Sequence, residues 1–190
     1  MRIVGGKYGG LHLVVIGKSD SIRPTLDGVR EAIFNILGPG DLEGLSILDL
    51  CAGTGALGIE ALSRGASRCT FVERSERAVG LIRTNIAKLG IPRELCTILK
   101  TDAAKFAATT KERFDLIFFD PPYEDERLIE QVVRAIDVRI PLNDDGRFIH
   151  EYFATGAKAP HPSIKNMDMV KNKVYGQTAI AIYRNKEHER

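Results

Sequence analysis

Four apolar runs recur along the chain, each followed by a stretch with helical spacing, and this alternation limits the fold more than any other feature. The runs are "LSILDL" (45–50), "CTFVE" (69–73), "LCTILK" (95–100) and "FDLIFF" (114–119). They are apolar on both faces, as strands buried between two layers must be. Between them lie "ALGIEALSRG" (56–65), ended by Gly65, and "SERAVGLIRTNIAKLG" (75–90), with Ser75 placed to cap its start and Gly90 just past its end. A shorter helix is expected over 103–108, and a longer one in "DERLIEQVVRAID" (125–137). "GRFIHEYF" (146–153) is a further strand, followed by a polar, Pro-containing loop (154–165). "NMDMVKNKVYG" and "QTAIAIYR" pair best as a closing hairpin. The pattern predicts an α/β fold with a largely parallel sheet covered on both sides.

Ahead of this body, "RIVGG" and "LHLVVIG" flank "KYGG", which predicts a hairpin, because glycine supplies the positive φ of a tight reversal. Apolar residues at 26, 29, 33, 34 and 37 predict a helix, stopped by Gly38, Pro39 and Gly40. Residues 1–40 are expected to extend a main body of 41–190. The net charge is +2, yet the first 30 residues alone hold five basic side chains against two acidic ones. A basic segment on a near-neutral body suits a polyanionic partner and equally suits a plain solvated surface.

Hydrophobic residues make up 44% of the chain and charged residues 27%, enough for a packed core. No run approaches the roughly 18 apolar residues of a membrane span, and "MRIVGGKYGG" lacks the apolar middle of a secretory signal. Cys51, Cys69 and Cys96 show neither metal nor redox spacing, which fits a reduced, cytoplasmic setting. The four histidines are scattered, and no metal site is expected.

Ligands of such sheets bind at the carboxyl ends of the strands. "LDLCAGTGALGIEAL" places Asp49 at a strand end and Gly53, Gly55 and Gly58 in the following turn and helix start, at the spacing G-x-G-x-x-G. Glu73 ends the second strand, where a carboxylate can accept from both hydroxyls of a ribose. Asp102 follows the third, where an acid can accept from an adenine amino group. Singly, each acid could be a helix cap or a solvated loop residue; together they point to a nucleoside. A dinucleotide would seat its pyrophosphate on the helix N-terminus. The acidic Asp49 favours a cationic ligand instead, and S-adenosylmethionine has an ammonium, a sulfonium and no phosphate.

The fourth strand runs straight into "DPPY" (120–123). The prolines fix φ near −65° and disfavour helix at Asp120. The Asp120 carboxylate thus becomes a rigid acceptor close to where a donor's methyl should project. Acceptors suit an exocyclic amine, and Tyr123 offers a flat face for a base. A nucleobase amine is a poor nucleophile because its lone pair is delocalised. Acceptors at its N–H groups favour a pyramidal nitrogen, and positioning supplies much of the rest. No cysteine nucleophile is needed, and Cys51 and Cys96 are simply small buried residues.

These residues resemble class I methyltransferases that act on base amines. More narrowly, "MRIVGGKYGG", "RPTLDGVREAIFNIL", "LDLCAGTGALGIEALSRGA", "FFDPPY" and "VYGQTAIAIY" resemble the RsmD-type guanine-N2 methyltransferases of small-subunit ribosomal RNA, over essentially the whole chain. The resemblance implies a Rossmann-like, seven-stranded, mostly parallel sheet with an antiparallel last strand, and methyl transfer from S-adenosylmethionine to a guanine N2, leaving S-adenosylhomocysteine. It implies 16S rRNA, in an assembled or partly assembled subunit, as partner; nothing in the sequence requires more than a monomer. It assigns Asp49, Ala52, Gly53, Thr54, Gly55, Glu73, Arg74, Asp102, Ala103 and Asp120 to the donor site. Asp120, Pro121, Pro122 and Tyr123 fall in the catalytic base site, and Arg2, Lys7, Arg23, Thr25 and Arg30 beside the RNA. The family commonly has arginine where Gly28 stands and often phenylalanine where Tyr123 stands. "DPPY" is shared with adenine amine methyltransferases, so an adenine-N6 enzyme on DNA or RNA remains the alternative. An NAD-dependent oxidoreductase and a non-catalytic RNA-binding module are further readings.

Overall fold

A computed structural model describes residues 1–15, 27–38, 42–139, 141–154 and 164–186. Its seven strands are β1 (Ser46–Leu50), β2 (Arg68–Glu73), β3 (Cys96–Lys100), β4 (Phe114–Phe119), β5 (Leu142–Phe153), β6 (Met167–Tyr175) and β7 (Thr178–Asn185). They form one sheet in the order β3-β2-β1-β4-β5-β7-β6. Strands β1 to β5 pair in parallel, and β7 runs antiparallel between β5 and β6. The helices are α1 (Asp27–Leu37), α2 (Ala56–Ser63), α3 (Glu76–Leu89), α4 (Ala103–Thr109) and α5 (Glu126–Arg139). The expected alternation is present, with element ends displaced by a few residues; β5 begins at Leu142, earlier than its apolar pattern suggests.

Alternation within each strand divides the core into two layers. Ile47, Phe71 and Phe118 face α1, α2 and α3, whereas Leu48, Ile117 and Phe119 face α4 and α5. Every residue of β1 is buried, as a central parallel strand requires. Helix α3 begins at Ser75, whose hydroxyl accepts from Ala78 N–H at 3.4 Å, and ends at Gly90, φ 64°. Gly58 lets α2 lie close on the sheet. A Cβ there would stand 2.3 Å from the Phe71 ring and 2.6 Å from the Cys69 sulfur. The third glycine of the motif therefore serves helix–strand packing.

The N-terminal hairpin is short: one bridge, Arg2 with His12, and backbone bonds from Ile3 N–H to Leu11 C=O at 2.9 Å, Gly10 N–H to Ile3 C=O at 2.8 Å and Leu13 N–H to Met1 C=O at 3.2 Å join its arms. The N–H groups nearer its turn face the body. Val4 and Gly5 N–H donate to the Glu60 carboxylate at 2.7 and 2.8 Å, Tyr8 N–H to Ser63 Oγ at 2.9 Å, and Lys7 N–H to Ser63 C=O at 2.7 Å. Ile3, Tyr8 and Leu13 join the same apolar layer as α1, α2 and α3. Among the described residues no helix is long and apolar enough to cross a membrane.

Candidate functional site

The sheet order reverses between β1 and β4, and a cavity of about 550 Å³ opens at the carboxyl ends of the strands around that point. From β1 comes Asp49, 1% exposed, whose Oδ2 accepts from Gly58 N–H at 2.9 Å. Burial pushes its carboxyl up to about 7; the Gly58 N–H opposes this, while Asp120 and Glu73 add to it. Cys51 follows at φ 61°, the one non-glycine residue with positive φ among those described. That backbone turn presents Ala52, Gly53 and Thr54 to the cavity. Gly55, at φ 79°, does not line it. A Cβ there would meet Ile59 and Ile82 at 3.3 Å, so a glycine at this position lets the loop turn close against α2 and α3.

Glu73 at the end of β2 is held at both oxygens. Oε2 accepts from Gly53 N–H at 2.9 Å and Oε1 from Ser75 N–H at 2.8 Å. These bonds fix the carboxylate beside the glycine loop. Arg74, also on the lining, pairs with Asp125 at 3.3 Å across the surface. Asp102 is the N-cap of α4, its Oδ1 accepting from Lys105 N–H at 2.9 Å, and it lines the cavity with Ala103.

Asp120, Pro121, Pro122 and Tyr123 all face the cavity. The turn closes with Asp125 N–H donating to Pro122 C=O at 3.0 Å, and Asp125 then caps α5 through Leu128 N–H at 3.2 Å. The Tyr123 hydroxyl donates to Glu151 Oε1 at 2.8 Å and lies 3.3 Å from Thr178 Oγ1, while its ring rests against Phe153 at 5.7 Å. Burial and the Glu151 charge push the phenol well above its ordinary range. The sequence reading missed Met1, Glu151 and Thr178, which also line the cavity. Glu151 was findable: it stands near the end of β5, where the strand-end rule applied to the first four strands points as well.

Of the residues expected beside RNA, Arg2 and Lys7 are exposed on the N-terminal segment. Arg23 and Thr25 lie outside the described residues. Arg30 is a correction. It is 0% exposed, donates through Nη2 to Arg2 C=O, and has its Nε 3.7 Å from Glu60 Oε2. A guanidinium enclosed in this way braces the N-terminal segment and does not reach a phosphate. Gly28 is exposed on α1, with open space where a side chain would start.

Six carboxyl side chains line the cavity against one basic side chain, Arg74. Such a lining repels a pyrophosphate and accepts from hydroxyls, amines and cationic centres. S-adenosylmethionine fits this donor set. Glu73 would hold its ribose, Asp102 its adenine and Asp49 its cationic end. With the sheet order, these features define a class I methyltransferase that uses S-adenosylmethionine. The family model described as "Conserved hypothetical protein 95" matches residues 1–184. YlbH of Bacillus subtilis is 36% identical over 187 residues, 97% of this chain and 98% of that one. The Escherichia coli "Ribosomal RNA small subunit methyltransferase D" is 32% identical over 183 residues, 96% of this chain and 89% of that one. The solved structure of yhhF from Escherichia coli superposes with a TM-score of 0.83 at 31% identity, covering 99% of both chains. The chain belongs to this family, the RsmD-type methyltransferases.

Proposed function

We propose that the protein transfers a methyl group to the exocyclic N2 of a guanine in small-subunit ribosomal RNA. The observation that carries this reading is the rigid "DPPY" turn beside a carboxyl-lined nucleoside cavity. The rRNA substrate is supported by the name of the Escherichia coli relative, which is 32% identical.

S-adenosylmethionine supplies an electrophilic methyl on a positive sulfur. The chain's own residues prepare the amine. Asp120 accepts from one of its N–H groups, which draws the nitrogen towards a pyramidal geometry with its lone pair available. Tyr123, braced by Glu151, Thr178 and Phe153, is the platform for the base ring. The nitrogen gains a carbon and then loses a proton, and Asp120 is the nearest acceptor assigned to it. A stacked base cannot enter the cavity, so the target is flipped out or already unpaired. Residues 1–40 engage the RNA, with Arg2 and Lys7 on phosphates and Arg23 and Thr25 in the adjoining "RPT" segment. The enzyme acts as a cytoplasmic monomer on an assembled or partly assembled subunit.

The test is transfer of labelled methyl to small subunits from a strain lacking this protein, followed by nucleoside digestion and mass analysis. N2-methylguanosine is expected, and N6-methyladenosine would replace this reading with the adenine one. Asp120→Ala should keep cofactor affinity and lose transfer. Unchanged turnover in that variant would remove Asp120 from the mechanism.

A further inference from the structure

We infer that Glu151 reads the Watson–Crick edge of the target base, accepting the N1–H of guanine beside the amine that Asp120 accepts. This rests on the guanine reading above and adds the residue that makes it guanine. The β4–β5 register pairs Phe119 with His150. Asp120 directly follows β4 and Glu151 follows His150 in β5, so the two leave the same pair at the carboxyl end of neighbouring strands, whose spacing is about 5 Å. Both line the cavity, and both charges act on the Tyr123 phenol between them. Glu151 is 4% exposed, so its carboxylate belongs to the cavity wall and not to the solvent rim.

Guanine presents two neighbouring kinds of donor on that edge, N1–H and the N2 amine. Adenine presents an amine beside a lone pair at N1. Two carboxylates side by side match the first pattern and repel the second. Glu151 already accepts the Tyr123 hydroxyl at Oε1, which orients the carboxylate against the platform residue; a carboxylate accepts from more than one donor. Accepting N1–H also raises electron density across N1–C2–N2, in the direction the amine needs.

The experiment replaces the mapped target guanosine by 2-aminopurine riboside in reconstituted small subunits. That base keeps the exocyclic amine and has a lone pair in place of N1–H. The wild-type enzyme should prefer guanosine by about 10- to 100-fold in kcat/KM, the size expected when a buried acceptor loses its donor. Glu151→Gln, whose amide can accept from guanine or donate to 2-aminopurine, should bring the ratio to within about threefold of one. Tyr123→Phe, which removes the hydroxyl that orients the Glu151 carboxylate, should lower the ratio by less than Glu151→Gln does. Equal use of the two bases by the wild-type enzyme, or an unchanged ratio in Glu151→Gln, overturns the assignment and leaves guanine methylation standing. No transfer to the guanosine particles by the wild-type enzyme removes the functional reading itself, and this inference with it.

Discussion

Asn85 on α3 forms a two-way hydrogen-bond pair with the backbone of Val14: its Oδ1 accepts Val14 N–H at 2.7 Å and its Nδ2 donates to Val14 C=O at 3.1 Å. The same Nδ2 donates to Thr54 C=O at 3.0 Å, in the loop that lines the cavity. Asn85 is 0% exposed. One amide thus ties the N-terminal segment to the glycine loop. Asn85→Ala should cost about 2–3 kcal/mol, because it strands buried backbone groups. Asn85→Asp should be no milder, since a carboxylate would face two carbonyls. Thermal unfolding gives the cost, and hydrogen exchange at Val14 should accelerate in both variants. Protection at Val14 equal to wild type would mean that the clamp holds nothing.

Arg30 and Lys7 should separate cleanly. Arg30→Ala takes one buried guanidinium from Glu60, which keeps Arg64 at 2.8 Å and the Val4 and Gly5 N–H groups, and should destabilise the fold by about 1–3 kcal/mol. Lys7→Ala should leave the melting temperature within a degree or two. It should reduce the salt dependence of RNA binding by about one counterion. Measuring unfolding and the log–log salt slope for both variants checks the pair. A stable Arg30→Ala protein with a reduced slope would restore Arg30 to the RNA surface.

The sheet was legible because parallel strands are apolar on both faces and the intervening helices begin and end on residues such as Ser75 and Gly90, whose roles are local. The cavity was legible where one strand end declares itself: Asp49, Glu73, Asp102 and the "DPPY" turn. What the sequence hid depends on contacts between distant segments. Nothing local marks Arg30 as buried, because its partner Glu60 lies one helix away. Nothing local shows that the N-terminal hairpin hands its N–H groups to Glu60 and Ser63. Glu151 gains meaning only when the register sets it beside Asp120 and the Tyr123 hydroxyl. His150 was one of four scattered histidines; in the fold it stacks among Phe119, Phe148 and Tyr152.

Gly28 sits exposed on α1 with nothing within 4 Å of the position of a Cβ. Gly28→Arg should therefore fit without strain and gain up to about 1 kcal/mol from helix propensity. If α1 faces the RNA, the added charge should also steepen the salt slope by about one counterion. Gly28→Ala should give the stability gain alone. Binding titrations at several salt concentrations separate the two effects, and identical slopes for both variants would turn that face of α1 away from RNA.

Gly58 should tolerate nothing larger. A Cβ at 2.3 Å from the Phe71 ring forces α2 away from the sheet and drags the Asp49 hydrogen bond with it. Gly58→Ala is expected to cost about 1–3 kcal/mol and to weaken S-adenosylmethionine binding. Calorimetric titration alongside thermal unfolding tests this. A variant of normal stability and normal affinity would show that the helix has room.

Asp49 should couple cofactor affinity to pH. Burial lifts its carboxyl from 3.8 to about 7 in the fold. A raised carboxyl favours the folded state fully below pH 3.8, and that contribution fades as pH rises to about 7. Replacing Asp49 by Asn should remove a cost on the order of 4 kcal/mol at neutral pH. His150 acts with the opposite sign: burial lowers its imidazole from 6.5 to about 3, so its contribution is complete above 6.5 and fades as pH falls towards 3. The two nearly cancel in the wild-type profile, and the difference between wild type and Asp49→Asn is the informative quantity. A cationic ligand favours the ionised carboxylate, so S-adenosylmethionine should bind more tightly as pH rises towards about 7, then level off. In Asp49→Asn that slope should vanish, with weaker binding at pH 8. Titrations between pH 5.5 and 8.5 decide the matter: a wild-type affinity that does not change with pH, or the same slope in both proteins, would show that Asp49 does not face the cation.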